Sequence, residues 1–198
     1  MKKTTFVSIL FFILPLFSSH AVSAITMSEL QNLVQCNNTH MKDYRHFSDD
    51  YEKNLEHLGW KPDHAAHQDP IEIYTHQNPF IVFERPTQKI AVFRNTLTAV
   101  YKDVNINDLS TDLEIPASPF LDNSSQFQGE RLIHIEPATS DHLTYYTKLV
   151  LLEVEDLPET ALLGCRYEVD KAEMEKLLRG LGAYLLFLSK NNTFQSFV

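Results

Sequence analysis

Residues 143–169, LTYYTKLVLLEVEDLPETALLGCRYEV, leave this chain few ways to fold. The second half of the stretch alternates. Leu163, Cys165, Tyr167 and Val169 fall on one side of an extended chain, and Gly164, Arg166 and Glu168 on the other. A period of two marks a half-buried antiparallel strand. The first half carries the unbroken apolar run Leu149, Val150, Leu151 and Leu152, which suits a strand covered on both faces. Two such arms around an acidic, proline-containing turn predict a β-hairpin with Cys165 on its inward face.

The only other cysteine is Cys36. The chain opens MKKTTFVSILFFILPLFSSHAVSA, with Lys2 and Lys3 ahead of an apolar core from Phe6 to Phe17 and small residues at Val22 and Ala24. This pattern predicts a secretory signal peptide over residues 1–24, its core too short to span a bilayer. The short Lys-Lys start looks bacterial, so the expected destination is periplasmic or secreted. Export would place Cys36 and Cys165 in an oxidising compartment, where a disulfide between them is the simplest pairing. The rival role, a lone nucleophilic cysteine working with a histidine, leaves the second cysteine unexplained.

Cleavage after Ala24 leaves 174 of the 198 residues, enough for a single domain over 25–198 with a real core. It also removes two of the 17 basic residues and none of the 26 acids, so the net charge moves from −9 to −11. Such a chain repels nucleic acid and anionic lipid, and favours a protein partner with a basic surface.

Thr26-Met27-Ser28-Glu29 fits a capping box that starts a helix carrying Leu30, Leu33 and Val34. A second helix is expected from an N-cap at Ser48, with Tyr51, Leu55 and Leu58 inward, Gly59 at the left-handed position past its end and Trp60 packing back on it. Residues 61–70 read as a polar loop. Ile71–Tyr74 reads as a short strand, and Phe80–Glu84 and Lys89–Phe93 as hairpin arms turning through Arg85–Gln88. The second arm either runs on or restarts after Asn95, through Leu97, Ala99, Val100 and Tyr101. Residues 105–130 read as a long loop with one short strand at Asp112–Ile115, and Arg131–Glu136 as a strand ended by Pro137. Asp170-Lys171-Ala172-Glu173 starts a C-terminal helix to about residue 189, against a rival strand over Ala183–Leu188, and residues 191–198 read as a frayed end. The expected class is α+β: an antiparallel sheet of about six strands, with N-terminal helices and a C-terminal helix packed on it and one disulfide.

Enzymatic signatures are missing from the sequence: no G-x-S-x-G, no glycine-rich phosphate loop, no H-E-x-x-H and no C-x-x-C. Ser140-Asp141-His142 holds triad residue types in consecutive positions, which a turn between strands explains better. The sharpest chemical candidate is the run His57, His64, His67 and His76, with Asp63 and Asp69 among them. His64 and His67 are spaced to share one face of a helical turn, so zinc is the metal they would hold, though their spacing matches no known motif. His134 is expected on the face of Leu132 as a packed or edge-exposed side chain. At the hairpin tip, Glu153, Glu155, Asp156 and Glu159 would project a negative field towards a basic partner, or serve only to keep the turn solvated.

Three functions compete. The first is a non-enzymatic exported module that binds another protein, as an inhibitor, immunity-type or accessory protein does. The second is a secreted hydrolase or metal-dependent enzyme using His57–His76. The third is a small-ligand carrier. A well-packed core with an exposed patch favours the first, a cavity lined by two or more titratable groups the second, and a dry cavity the third.

Overall fold

A computed structural model describes residues 24–37, 40–67, 69–118, 127–153 and 159–192, with side chains through residue 181. Residues 1–23 of the expected signal peptide, Glu155 and Asp156 at the hairpin tip, and the final six residues lie outside this description. Seven strands form one antiparallel sheet: β1 (Lys61–Pro62), β2 (Glu72–Val82), β3 (Arg85–Phe93), β4 (Thr96–Lys102), β5 (Gln128–Glu136), β6 (Tyr145–Glu153) and β7 (Thr160–Val169). Their spatial order is β1-β2-β3-β4-β7-β6-β5, so two meanders meet at the β4–β7 ladder. Helices α1 (Met27–Gln35), α2 (Met41–Ser48) and α3 (Tyr51–His57) precede the sheet. α4 (Ile106–Asp112) lies in the connection between the meanders, and α5 (Lys171–Asn192) follows β7.

The organising hairpin is β6–β7, with Leu149 opposite Cys165 and Leu151 opposite Leu163. On the other side of β7, Cys165 stands opposite Leu97 and Leu163 opposite Ala99. These side chains point to the face that α1 crosses, where Leu30, Leu33 and Val34 are buried. Burying a side chain of this size contributes about 1.5–3 kcal/mol. Gly164 points the other way, and a Cβ there would come within 2.2 Å of the Leu97 carbonyl oxygen, so no larger residue fits this ladder. On the open face, Lys148 and Arg166 both pair with Glu130 and with Glu168, at 2.9 to 3.8 Å, spanning β5, β6 and β7. Burial alone would lower the Lys148 ammonium, but its hydrogen bonds to the two carboxylates outweigh that and raise it.

The Cys36–Cys165 disulfide is formed, with Cα atoms 5.4 Å apart. Cys36 ends α1 in the left-handed conformation, φ 56°, which a residue with a Cβ adopts at a cost and which the crosslink holds in place. Beside it, the Tyr167 hydroxyl donates to the Leu33 carbonyl at 2.8 Å, and the Tyr44 ring stacks on Tyr167 with centroids 4.3 Å apart.

Several boundaries differ from the sequence expectation. Ser48 ends α2, and α3 starts after Asp50, so the helical region before Gly59 holds three helices. Gly59 takes φ +87° as expected, and Trp60 behind it is fully buried. The two expected strands between Ile71 and Glu84 are one strand, β2, whose register shifts between Thr75 and Phe80. The β2–β3 turn is Phe83–Glu84, both at positive φ, the geometry that matches strand twist in a tight hairpin. Pro86 therefore stands inside β3, opposite Ile81, before the ladder to β4 begins at Ile90. An unpaired edge tolerates a residue without an N–H. Residues 105–130 contain a helix that the sequence reading missed: the Asn105 side chain accepts from the amides of Asn107 and Asp108 and starts α4, which buries Leu109. The expected strand at Asp112–Ile115 is the end of that helix and the turn after it.

The C-terminal helix is continuous, and the rival strand is absent. Asp170 caps it by accepting from the Glu173 amide at 2.8 Å. The Glu173 carboxylate turns instead to Thr144, accepting from its amide and its hydroxyl. Leu177, Leu178 and Leu181 on this helix remain about half exposed.

Cys36→Ser and Cys165→Ser should destabilise the protein equally, because each opens the same crosslink, with losses of about 2–5 kcal/mol. Urea melts of both variants check this; one variant melting like wild type while the other collapses would contradict it.

Candidate functional site

Two regions gather chemistry-bearing side chains. The first is a cleft of about 870 Å³ beside Trp60, where α3 and the loop after β1 face β2. His64 and His67 lie on its wall with Glu52, Glu56, Asp63 and Glu72. Asp63 is paired with Lys89 at 2.6 Å, and that hydrogen bond, with amides of the 63–66 turn, holds its carboxyl below the usual range. Glu72 accepts from Tyr51 at 2.7 Å and from Tyr74 at 3.0 Å. Two of the four carboxylates on the wall are thus committed to structural partners. Among the described residues the lining holds no serine, threonine or cysteine. Among the described residues, His64 and His67 join no third ligand atom in a cluster with mutual distances under 4.8 Å. His76 stands apart from the lining, its ring on Trp60 and its Nδ1 within hydrogen-bonding distance of Asn78. The Trp60 Nε1 is buried without a partner.

The second region is β5, an outer strand of the sheet. It pairs with β6 along its inner side. Its outer side meets the chain near Gly129, through a bridge to Ala117 and a hydrogen bond from Ser118 to Gln128. Beyond that point Leu132, Ile133 and Ile135 are exposed by 50, 39 and 44%. The register slips at Ile133: Leu132 stands opposite Lys148, but His134 stands opposite Thr147. Adjacent residues of β6 point to opposite faces, so this bulge puts His134 on the helix-bearing face and Leu132 on the open one. The expectation that they share a face is corrected here; strict alternation fails across the extra residue.

On the helix-bearing face His134 and Glu136 meet His40, which precedes α2. Their ligand atoms all lie within 4.8 Å of one another, with His40 Nδ1 3.6 Å from a Glu136 oxygen. The same Glu136 oxygen accepts from the Met41 amide at 2.7 Å. The His40 and His134 rings meet edge to face, with centroids 5.5 Å apart. Sequence reasoning missed this group, because His40 is remote in sequence and only the bulge turns His134 towards it.

At the hairpin tip, Glu153 does not project into solvent. It is half-buried and accepts from the Phe127 amide at 3.1 Å. Glu159 is exposed, with φ 55°. Among the described residues no helix is long and apolar enough to cross a membrane. Comparison with protein-family models, with curated proteins and with solved structures finds no match.

The tyrosines around the cleft and core predict how the fold responds to alkali. Burial pushes Tyr44 up to about 12, and burial together with the Glu72 carboxylate does the same to Tyr51. Tyr74 and Tyr101 are raised as well, chiefly by burial. The folded state keeps these protons after the unfolded chain has lost them, so their contribution is complete below about pH 10 and is lost as the pH rises from about 10 to 12. Denaturant midpoints across that range should fall, with tyrosinate absorbance lagging behind model tyrosine. These four tyrosines titrating near 10 in a folded protein would contradict this.

Proposed function

We propose that this protein is an exported, non-enzymatic binding module that takes another polypeptide as an added strand along β5. The observation that carries this reading is the contrast between the two edges of the sheet. β1 is two residues long and contains Pro62, which blunts its edge. β5 is nine residues long, and its outer stretch presents Leu132, Ile133 and Ile135 without a proline or lysine to discourage pairing. Such an edge offers main-chain hydrogen bonds for affinity and alternating side chains for specificity. The disulfide supports passage through an oxidising compartment, periplasmic or extracellular. The acidic balance supports a partner with a basic surface, which Glu159 and its neighbours at the hairpin tip would meet.

The enzymatic alternative draws on the imidazoles and carboxylates at the Trp60 cleft. It is the weaker reading, because Asp63 and Glu72 already serve Lys89 and the two tyrosines, and the Tyr74 hydroxyl on the wall is itself bonded to Glu72. The carrier alternative would draw on a second cleft, of about 810 Å³, whose wall mixes Ile71, Phe93 and Met174 with Arg166, Glu168 and Lys171 and so is not the dry cavity that reading calls for.

The test replaces Ile133 and Ile135 with glutamate and repeats affinity capture from envelope and secreted fractions. Glutamate is chosen because it does not repel a basic partner. These exposed side chains should cost the fold little, within about 0.5 kcal/mol each. The partner captured by wild type should be lost, and it should be retained by a His64→Ala/His67→Ala variant. Equal recovery by the edge variant would overturn the β5 reading, and loss in the histidine variant would move the site to the cleft.

A further inference from the structure

We infer that His40, His134 and Glu136 form a binding site for one divalent transition-metal ion of the zinc class. This goes beyond the protein-binding reading and stands or falls separately from it. Two imidazoles and a carboxylate are a donor set for a borderline metal; calcium and magnesium call for oxygens alone. Bonds of about 2.0–2.1 Å in a tetrahedral arrangement put neighbouring ligand atoms roughly 3.4 Å apart. His40 Nδ1 and the Glu136 oxygen are already 3.6 Å apart, and all three ligand atoms fall within 4.8 Å. The imidazoles are exposed, so small side-chain rotations close the remaining distance. Three protein ligands leave one position open to solvent or to a donor from a bound molecule.

Two further observations point the same way. The first is the bulge. A bulge at a sheet edge often ends pairing. Here the ladder resumes beyond it, with His134, Ile135 and Glu136 opposite Thr147, Tyr146 and Tyr145. The consequence of the extra residue is therefore the exchange of faces. Without it His134 and Glu136 would point to the open face with Leu132, away from His40. The second is the setting of Glu136. Its oxygen is oriented by the Met41 amide, as the outer partners of metal ligands orient them. Among the described residues no lysine or arginine pairs with it; the nearby Arg45 guanidinium donates instead to the Tyr145 hydroxyl at 2.7 Å and lies over that ring. The cluster thus joins a carboxylate to two imidazoles and leaves its negative charge without a fixed cation. A bound ion would supply that charge and tie the start of α2 to the outer strand.

The experiment is a zinc titration of the untagged, disulfide-intact protein by calorimetry, with melting temperature followed in parallel. Wild type should take up one equivalent and melt higher with zinc. His40→Ala, His134→Ala and Glu136→Gln should each weaken binding at least tenfold and remove the thermal shift, whereas His64→Ala/His67→Ala should leave both unchanged. On wild type itself, which needs no variant to fold, zinc should move the imidazole resonances of His40 and His134 before those of His64 and His67. Uptake below about a tenth of an equivalent would overturn the inference. So would binding that survives His40→Ala/His134→Ala, or resonance changes confined to His64 and His67.

Discussion

The fold depends on how β7 is clamped between its neighbours and the helix above it. Leu163, Cys165 and Tyr167 lie one after another on a single face of that strand, all fully buried. Each is held differently: the leucine by packing, the cysteine by a covalent bond to the end of α1, and the tyrosine by a stacked ring and a hydrogen bond to the Leu33 carbonyl. The crosslink acts on the unfolded chain by closing a loop of 129 residues, while the packing acts on the folded one. Because β7 joins the two meanders, loosening it separates them. Gly164 adds to this constraint by letting β4 approach, so the centre of the sheet admits little change in either sequence or register.

Outwards from that centre, structure becomes harder to read from sequence. The hairpin, the disulfide, the capping of α1 and the Gly59–Trp60 helix end were legible because each rests on a local rule: period two, two cysteines in a chain expected to be exported, a reciprocal side-chain cap, a left-handed glycine. The β2–β3 turn was misplaced because Pro86 is a strong turn signal, and nothing local says that β4 leaves it unpaired. α4 was hidden by a polar stretch whose start signal, Asn105, resembles the loop residues around it. The face of His134 was unreadable for a deeper reason. A bulge inserts one residue without altering composition, and it reverses every face assignment beyond it. The grouping of His40 with His134 and Glu136 then depends on tertiary placement of α2 against β5.

Both functional ideas place activity at the periphery of a rigid sheet. The Trp60 cleft holds more titratable groups, but two of its acids, Asp63 and Glu72, already serve Lys89, Tyr51 and Tyr74. β5 is different. Its inner side is fixed through β6 and the charge network of Lys148, Arg166, Glu130 and Glu168. Among the described residues, nothing pairs with its outer side beyond Gly129, and Leu132, Ile133 and Ile135 stay exposed, where a sheet edge is normally protected. A strand held on one side and, among the described residues, unpaired on the other beyond Gly129 is the template that the proposed partner would use, and the bulge turns His134 and Glu136 to the face opposite Leu132.

Amide hydrogen exchange resolved by residue tests this gradient directly. The amides of Leu163, Cys165 and Tyr167 should exchange only through global unfolding, while those of residues 131–136 that face away from β6 should exchange orders of magnitude faster in the free protein. Protection along the outer side of β5 as strong as that of β7 would mean the edge is already covered, and would contradict the account.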